Sequence, residues 1–193
     1  MGTSKQAKLP PIGPATKLLS FDVETNGLHG DAFAVGAVVI GADNKTYSEF
    51  SGRCPTEGKI DEWVDANVLP AITDIPTNFG SSHELREAFW EWYLEAEQQA
   101  DYVLVSNGYP VEYRFLLKCQ EENLAERYWQ HPFPILDLTS LLLGTGQDTS
   151  SKSQLINRII EDNDFKRHHP LHDAKIAALV AFDALAQNHR ADG

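Results

Sequence analysis

The chain has 193 residues, a formal net charge of −12, 42% hydrophobic residues and 23% charged residues. That length predicts one domain able to bury its own core, with the composition of an ordinary soluble globular protein. The acidic balance argues against a broad basic surface gripping long duplex nucleic acid, no apolar run approaches membrane-spanning length, and two cysteines are too few for a disulfide framework or a zinc cluster. A reducing, cytoplasmic setting is expected, with Cys54 and Cys119 as small buried residues.

Residues 1–14, rich in Lys, Pro and Gly, read as a flexible leader, and Met1 to Gln6 carry no signal-peptide core; residues 15–190 read as one domain. Three strands are predicted over Lys17 to Glu24, Ala32 to Ile40 and Thr46 to Gly52. Short polar links with turn chemistry join them, so an antiparallel meander is expected. The second run is nearly all apolar, which suits a central strand covered on both faces. Asp61, Glu62 and Asp65, with Glu84, Glu87, Glu91, Glu95 and Glu97, read as solvated helix faces. Ser82 is the expected N-cap of a helix whose Leu85, Ala88, Phe89, Trp92, Tyr93 and Ala96 recur at helical spacing. Asp101 to Ser106 reads as a fourth strand, Val111 to Leu124 as a helix, and Ile135 to Leu138 as a fifth strand running into a short helix. A link over Gly144 to Ser151 leads to a helix near Ser153 to Glu161. The last helix is expected from about His172 to Gln187, with Ile176, Leu179, Val180 and Phe182 on its buried side. Leading strands followed by helices alternating with further strands indicate a mixed-sheet α/β domain.

Two segments carry chemistry. In Leu18-Leu19-Ser20-Phe21-Asp22-Val23-Glu24-Thr25-Asn26-Gly27-Leu28, an apolar strand ends in two acids spaced i and i+2. Such residues project from the same face of a strand, and two carboxylates held that close repel unless a cation such as Mg²⁺ or Mn²⁺ lies between them. The alternative is two acids that simply face water. In His168-His169-Pro170-Leu171-His172-Asp173-Ala174, an aspartate opens an apolar helix with histidines four and five residues before it. A histidine there is placed to take a proton from water near neutral pH.

On these motifs the chain resembles the DEDD superfamily of 3′–5′ exonucleases, in its histidine-type DEDDh branch. Asp22 to Leu28 resembles the family's first motif, Asp-x-Glu-Thr-x-Gly-Leu, and His168 to Asp173 its third, a histidine five positions before the last metal-binding aspartate. The resemblance runs from about Lys17 to Gln187. It implies a ribonuclease H-like mixed five-stranded sheet, three antiparallel strands then parallel additions, flanked by helices. The middle motif departs from the pattern. Ser106-Asn107-Gly108-Tyr109-Pro110-Val111-Glu112 keeps the strand, the Asn and the helix, but Glu112 stands where the family has Asp. Glu112 is thus either the replacement metal ligand or an ordinary first-turn acid favoured by the helix dipole.

The resemblance implies two Mg²⁺ or Mn²⁺ ions per active site, held by Asp22, Glu24, Glu112 and Asp173, with His168 as general base and His169 as the competing choice. Thr25, Leu28 and Asn107 become candidate substrate contacts. The implied reaction is stepwise hydrolysis from a 3′ end of single-stranded or 3′-overhanging DNA or RNA, short oligonucleotides included, releasing nucleoside 5′-monophosphates. A homodimer is left open. The competing expectation is a catalytically weakened nuclease-like fold that serves as a nucleic-acid or protein binding module.

Overall fold

The computed structural model describes residue 13, residues 15–146 and residues 152–191. Apart from Gly13, the expected leader lies outside them, as do residues 147–151 of the expected link. The elements are β1 (Lys17–Thr25), β2 (Ala32–Gly41), β3 (Thr46–Arg53), α1 (Glu62–Asn67), α2 (Ser82–Glu97), β4 (Tyr102–Val105), α3 (Val111–Glu121), α4 (Leu124–Arg127), β5 (Ile135–Asp137), α5 (Leu138–Gly144), α6 (Lys152–Asn163) and α7 (Pro170–Ala191).

The strands form one mixed sheet in the order β3-β2-β1-β4-β5. β1 pairs antiparallel with β2, and β2 with β3, while β4 and β5 add in parallel. β1 is therefore central, and its apolar residues divide by strand period. Leu19, Phe21 and Val23 enter a core with Phe89 and Tyr93 of α2 and Phe115 of α3. Leu18 faces the opposite layer, with Leu138 and Leu142 of α5 and Ile176 and Val180 of α7. Every residue of β2 is buried, as its unbroken apolar run predicts. The aromatic side chains of α2 are core residues: Phe89 lies 5.6 Å from Phe21 and 4.9 Å from Phe115, centroid to centroid.

α7 packs on the sheet more closely than a Leu-rich helix could. Its buried residues include Ala174, Ala177, Ala178, Ala181 and Ala184. Gly36 of β2 completes the fit, since a Cβ there would stand 1.9 Å from the backbone nitrogen of Leu171. Gly36 pairs with Asp22 across the ladder, so this close approach seats the first turn of α7 beside the acidic end of β1.

Several element limits differ from those expected. The N-cap of α2 is Ser81, whose hydroxyl accepts from Glu84 N–H at 3.2 Å; Ser82 is a buried first-turn residue bonded to Arg86. Either serine satisfies the capping pattern, and the extended backbone at Ser81 decides between them. α3 stops at Glu121, and Leu124 opens a separate turn of helix. α7 begins at Pro170, because proline at the first helical position gives up an N–H that has no partner there anyway. On its buried side Leu179 and Phe182 are only half-buried, the alanines taking the innermost stripe. Among the described residues no helix is long and apolar enough to cross a membrane. Cys54 and Cys119 are both free and buried, and burial pushes both thiols up, Cys54 to about 11.

Candidate metal centre

The site lies where β1 outruns its parallel neighbour. The β1–β4 ladder ends at the pair Phe21 and Val105, so Asp22 and Glu24 extend past the last residue of β4. In open α/β sheets a crevice forms at this kind of place, beyond the carboxyl ends of strands whose connections leave in opposite directions. Period two places both acids on the α7 face. Ser106, just past the end of β4, lines one side of the cavity, and Asp173 in the first turn of α7 lines it as well.

Ligand atoms of Glu24, His168 and Asp173 all lie within 4.8 Å of one another. Asp22 lines the same cavity of about 340 Å³, together with Ser106 of the β4–α3 loop, Ile156 of α6 and Arg167. Glu112 approaches from the far side of β1. It is buried at 7% exposure, and its carboxylate accepts the backbone N–H of Val23, between the two β1 acids. Of the expected ligand set, Asp22, Glu24 and Asp173 line one cavity; Glu112 is outside that lining, although its charge is felt at Asp22 and Glu24.

The electrostatics are those of a pocket short of positive charge. Burial, followed by the charges of Glu24, Asp173 and Glu112, raises the Asp22 carboxyl well above its ordinary value. Glu24 is pushed up to about 8 by burial, then by Asp173 and Glu112. Glu112 rises to about 7 through burial, with backbone N–H groups opposing and the charge of Asp137 adding to the rise. Asp173 rises to about 6 by burial, against the His168 N–H and the Arg167 charge, which lower it. Four such groups ionise together only when a cation compensates them, and an all-oxygen donor set suits a hard divalent ion. Glu24, His168 and Asp173 are close enough to hold a metal ion between them.

His168 owes its place to an unusual backbone. Its φ of +60° is in the left-handed region, uncommon for a residue with a Cβ though more often adopted by Asn, Asp and His than by other side chains. This turn lets its N–H donate to Asp173 Oδ2 at 2.8 Å, which fixes the carboxylate at the start of α7. Its ring meets Trp63 of α1 edge-on, at 5.0 Å between centroids. Burial and then Arg167 lower its pKa below 6.5, so the imidazole is neutral and free to accept a proton near pH 7. His169 is different. It is buried at 4% exposure, its Nε2 is 3.6 Å from Asp74, and its ring stacks on His172 at 4.0 Å. Of the two candidate bases, only His168 lines the cavity.

The expected substrate contacts are scattered. Thr25 and Leu28 line a neighbouring small cleft with Arg114 and Phe115, not the cavity of the acids. The Thr25 hydroxyl is engaged with Gly27 C=O at 2.7 Å, whereas Leu28 projects into solvent at 63% exposure. Asn107 is exposed and outside both linings.

Other residues of the site have weak sequence signals. Asp137, at the end of β5, accepts from Gly108 N–H at 3.3 Å and Ser140 N–H at 2.8 Å, and its charge reaches Glu112. An acid at the tip of a predicted strand was its only signal, the same one that singles out Asp22. Asn26 holds the segment before α1: its Nδ2 donates to Glu57 and Lys59 carbonyls at 3.2 and 2.9 Å, and its Oδ1 accepts from Asp61 N–H at 2.8 Å. Asp61 caps α1, and α1 carries Trp63 against His168. Nothing in residue spacing announces that chain of contacts. No protein-family model matches this chain, and a search of curated proteins finds no match either.

Proposed function

We propose that this chain is a metal-dependent 3′–5′ exonuclease of ribonuclease H-like fold, acting on single-stranded ends of DNA or RNA and releasing nucleoside 5′-monophosphates. The observation that carries this reading is the meeting of Glu24, Asp173 and His168 within 4.8 Å, in one cavity with Asp22. Asp22, Glu24, Asp173 and Glu112 would hold Mg²⁺ or Mn²⁺, which supplies Lewis-acid polarisation of a phosphodiester and a more acidic bound water. The chain's own contributions are positional. Asp22 and Glu24 are fixed by the β1 ladders, and Asp173 by the His168 N–H. His168 Nδ1 or Nε2, neutral near pH 7, takes the proton of the attacking water. Burial of the cluster strengthens every charge interaction inside it. The free buried thiols accord with a reducing, cytoplasmic setting.

The test is a 5′-labelled single-stranded oligonucleotide, as DNA and as RNA, incubated with Mg²⁺ or Mn²⁺. Stepwise shortening from the 3′ end, stopped by EDTA, is the expected result. No mononucleotide release from either polymer with either metal defeats the proposal.

One observation favours the second reading, a binding module with weakened chemistry. Glu112 spends a lone pair on the Val23 N–H, which a ligand to a second ion would otherwise offer. Calorimetry of Mn²⁺ binding separates the two. Strong binding that Glu112→Ala weakens supports the enzyme, and negligible binding by the parent chain supports the module.

A further inference from the structure

The cavity has one cationic side chain among the described residues that line it, Arg167. Several other cations of the described residues are engaged elsewhere. Lys166 reaches Asp74 at 3.4 Å, and Lys175 reaches Glu49 at 2.6 Å. Arg86 and Arg127 pair with Glu122 and Glu87. Arg114 donates to the backbone carbonyls of Leu28, His29 and Gly30. Among the described residues, no carboxylate lies within 4.0 Å of the Arg167 guanidinium, although its charge is felt at both Asp173 and His168. Among the described residues its hydrogen bond, from Nη2 to Asn157 Oδ1 at 2.8 Å, holds the exposed side chain beside α6, the helix that also supplies Ile156 to the cavity wall.

A guanidinium has five N–H donors in a planar fork suited to phosphate oxygens. Here one donor is used for orientation and the others are left over, beside carboxylates that compensate metal rather than substrate. We propose that Arg167 binds a backbone phosphate of the strand being trimmed, with Asn157 as the residue that positions it. Resting on the exonuclease reading, this assigns the site a phosphate contact on the α6 side, opposite the acids of β1. It also gives an acidic chain a local means of holding a polyanion by its end rather than along its length.

The test is fluorescence anisotropy of a labelled short single-stranded oligonucleotide, with Ca²⁺ replacing Mg²⁺ so that the strand stays intact, over a series of KCl concentrations. Trimming by the same variants with Mg²⁺ is measured alongside. Arg167→Ala should weaken binding about tenfold to a hundredfold, the usual loss for one charge-assisted contact. It should also flatten the slope of log affinity against log salt by about 0.7, the value for one phosphate contact to a single strand. Arg167→Lys should keep the slope but recover only part of the affinity. Asn157→Ala should weaken binding less and leave the slope unchanged, because the charge remains. Parent-like affinity and slope in Arg167→Ala overturn the proposal, and if that variant still trims, the exonuclease reading stands without it. A flattened slope in Asn157→Ala overturns the division of roles. If the unaltered chain neither binds nor trims, both readings fall.

Discussion

Two carboxylate clusters in this molecule are built from the same residue types and carry opposite electrostatics. On the α7 side of the sheet are Glu24, His168 and Asp173; on the other side, between α2 and the end of α3, are His83, Glu87 and Glu122. By distance alone either triad could hold a metal ion. In the second, however, the protein supplies its own cations. The Arg86 guanidinium is paired with Glu122 at 2.5 Å and Arg127 with Glu87 at 2.6 Å, both arginines nearly buried. The Arg127 contact holds the Glu87 carboxyl below its usual range, whereas Glu24 and Asp173 are raised. A cluster already neutralised by arginine is a clamp between helices. A cluster left uncompensated is a place for an ion from solution. Charge balance, more than ligand spacing, distinguishes the two.

Mutating one acid in each cluster is the sharpest way to break that contrast. Asp22→Ala should cost trimming activity about a thousandfold or more, with loss of Mn²⁺ binding by calorimetry, because the cation loses a ligand and its field. Glu122→Gln should leave Mn²⁺ binding unchanged while costing about 3 kcal/mol in a denaturant melt, since Arg86 is left buried without its counter-charge. Metal binding that depends on Glu122 and not on Asp22 would reverse the assignment.

The paired histidines give the next largest effect. His168→Ala should lower kcat by about a hundredfold to ten-thousandfold and retain bound Mn²⁺, as loss of a general base does. His169→Ala should act on stability through its contacts with Asp74 and His172, leaving kcat within a few-fold of the parent in the folded fraction. Equal loss of kcat in both variants would leave the choice of base wrong.

The contrast also has a pH signature. Glu24 has an ordinary value of 4.5 and is raised to about 8 in the folded chain. Between those limits the folded state holds a proton that the unfolded chain has released, so raising pH favours unfolding. Without metal, thermal melts should show stability present near pH 5 and lost progressively towards pH 8, with Asp173 and Glu112 adding to the loss as pH rises through about 6 and about 7. Mg²⁺ or Mn²⁺ should flatten the curve, because the bound ion replaces the protons. A metal-free melting temperature that climbs over this range would contradict a raised carboxylate cluster.

The smallest effect is expected at Asn26, which touches neither acid nor base. Asn26→Ala frees the 57–61 segment, and with it α1 and the Trp63 edge against His168. A fall in kcat of about tenfold or less, with KM and Mn²⁺ affinity unchanged, is the expected signature of a loosened base. An equal change in Mn²⁺ affinity would show that the loop supports the metal ligands instead.

Much of the site was legible because its parts are local. A strand ending in Asp22-Val23-Glu24 presents two acids on one face whatever surrounds it, and Asp173 reads as an acid at the start of an apolar helix, although that helix opens at Pro170 rather than about His172. The buried, nearly all-apolar β2, second in the sheet beside the central β1, and the alternation of later helices with strands are periodic signals of the same kind. Local periodicity is blind to the rest, because it depends on residues far apart in the chain. That the strand tip and the helix start share one pocket follows from Gly36, whose missing Cβ lets α7 sit on β2 beside Asp22. That Glu112 reaches the acids follows from the early end of β4, and that His168 rather than His169 faces them follows from one left-handed residue. Residue order thus determined which groups could do chemistry, through backbone geometry and side-chain type. Only the packed structure decided which of them share a field, because charge interactions depend on distance and burial rather than on position in the chain.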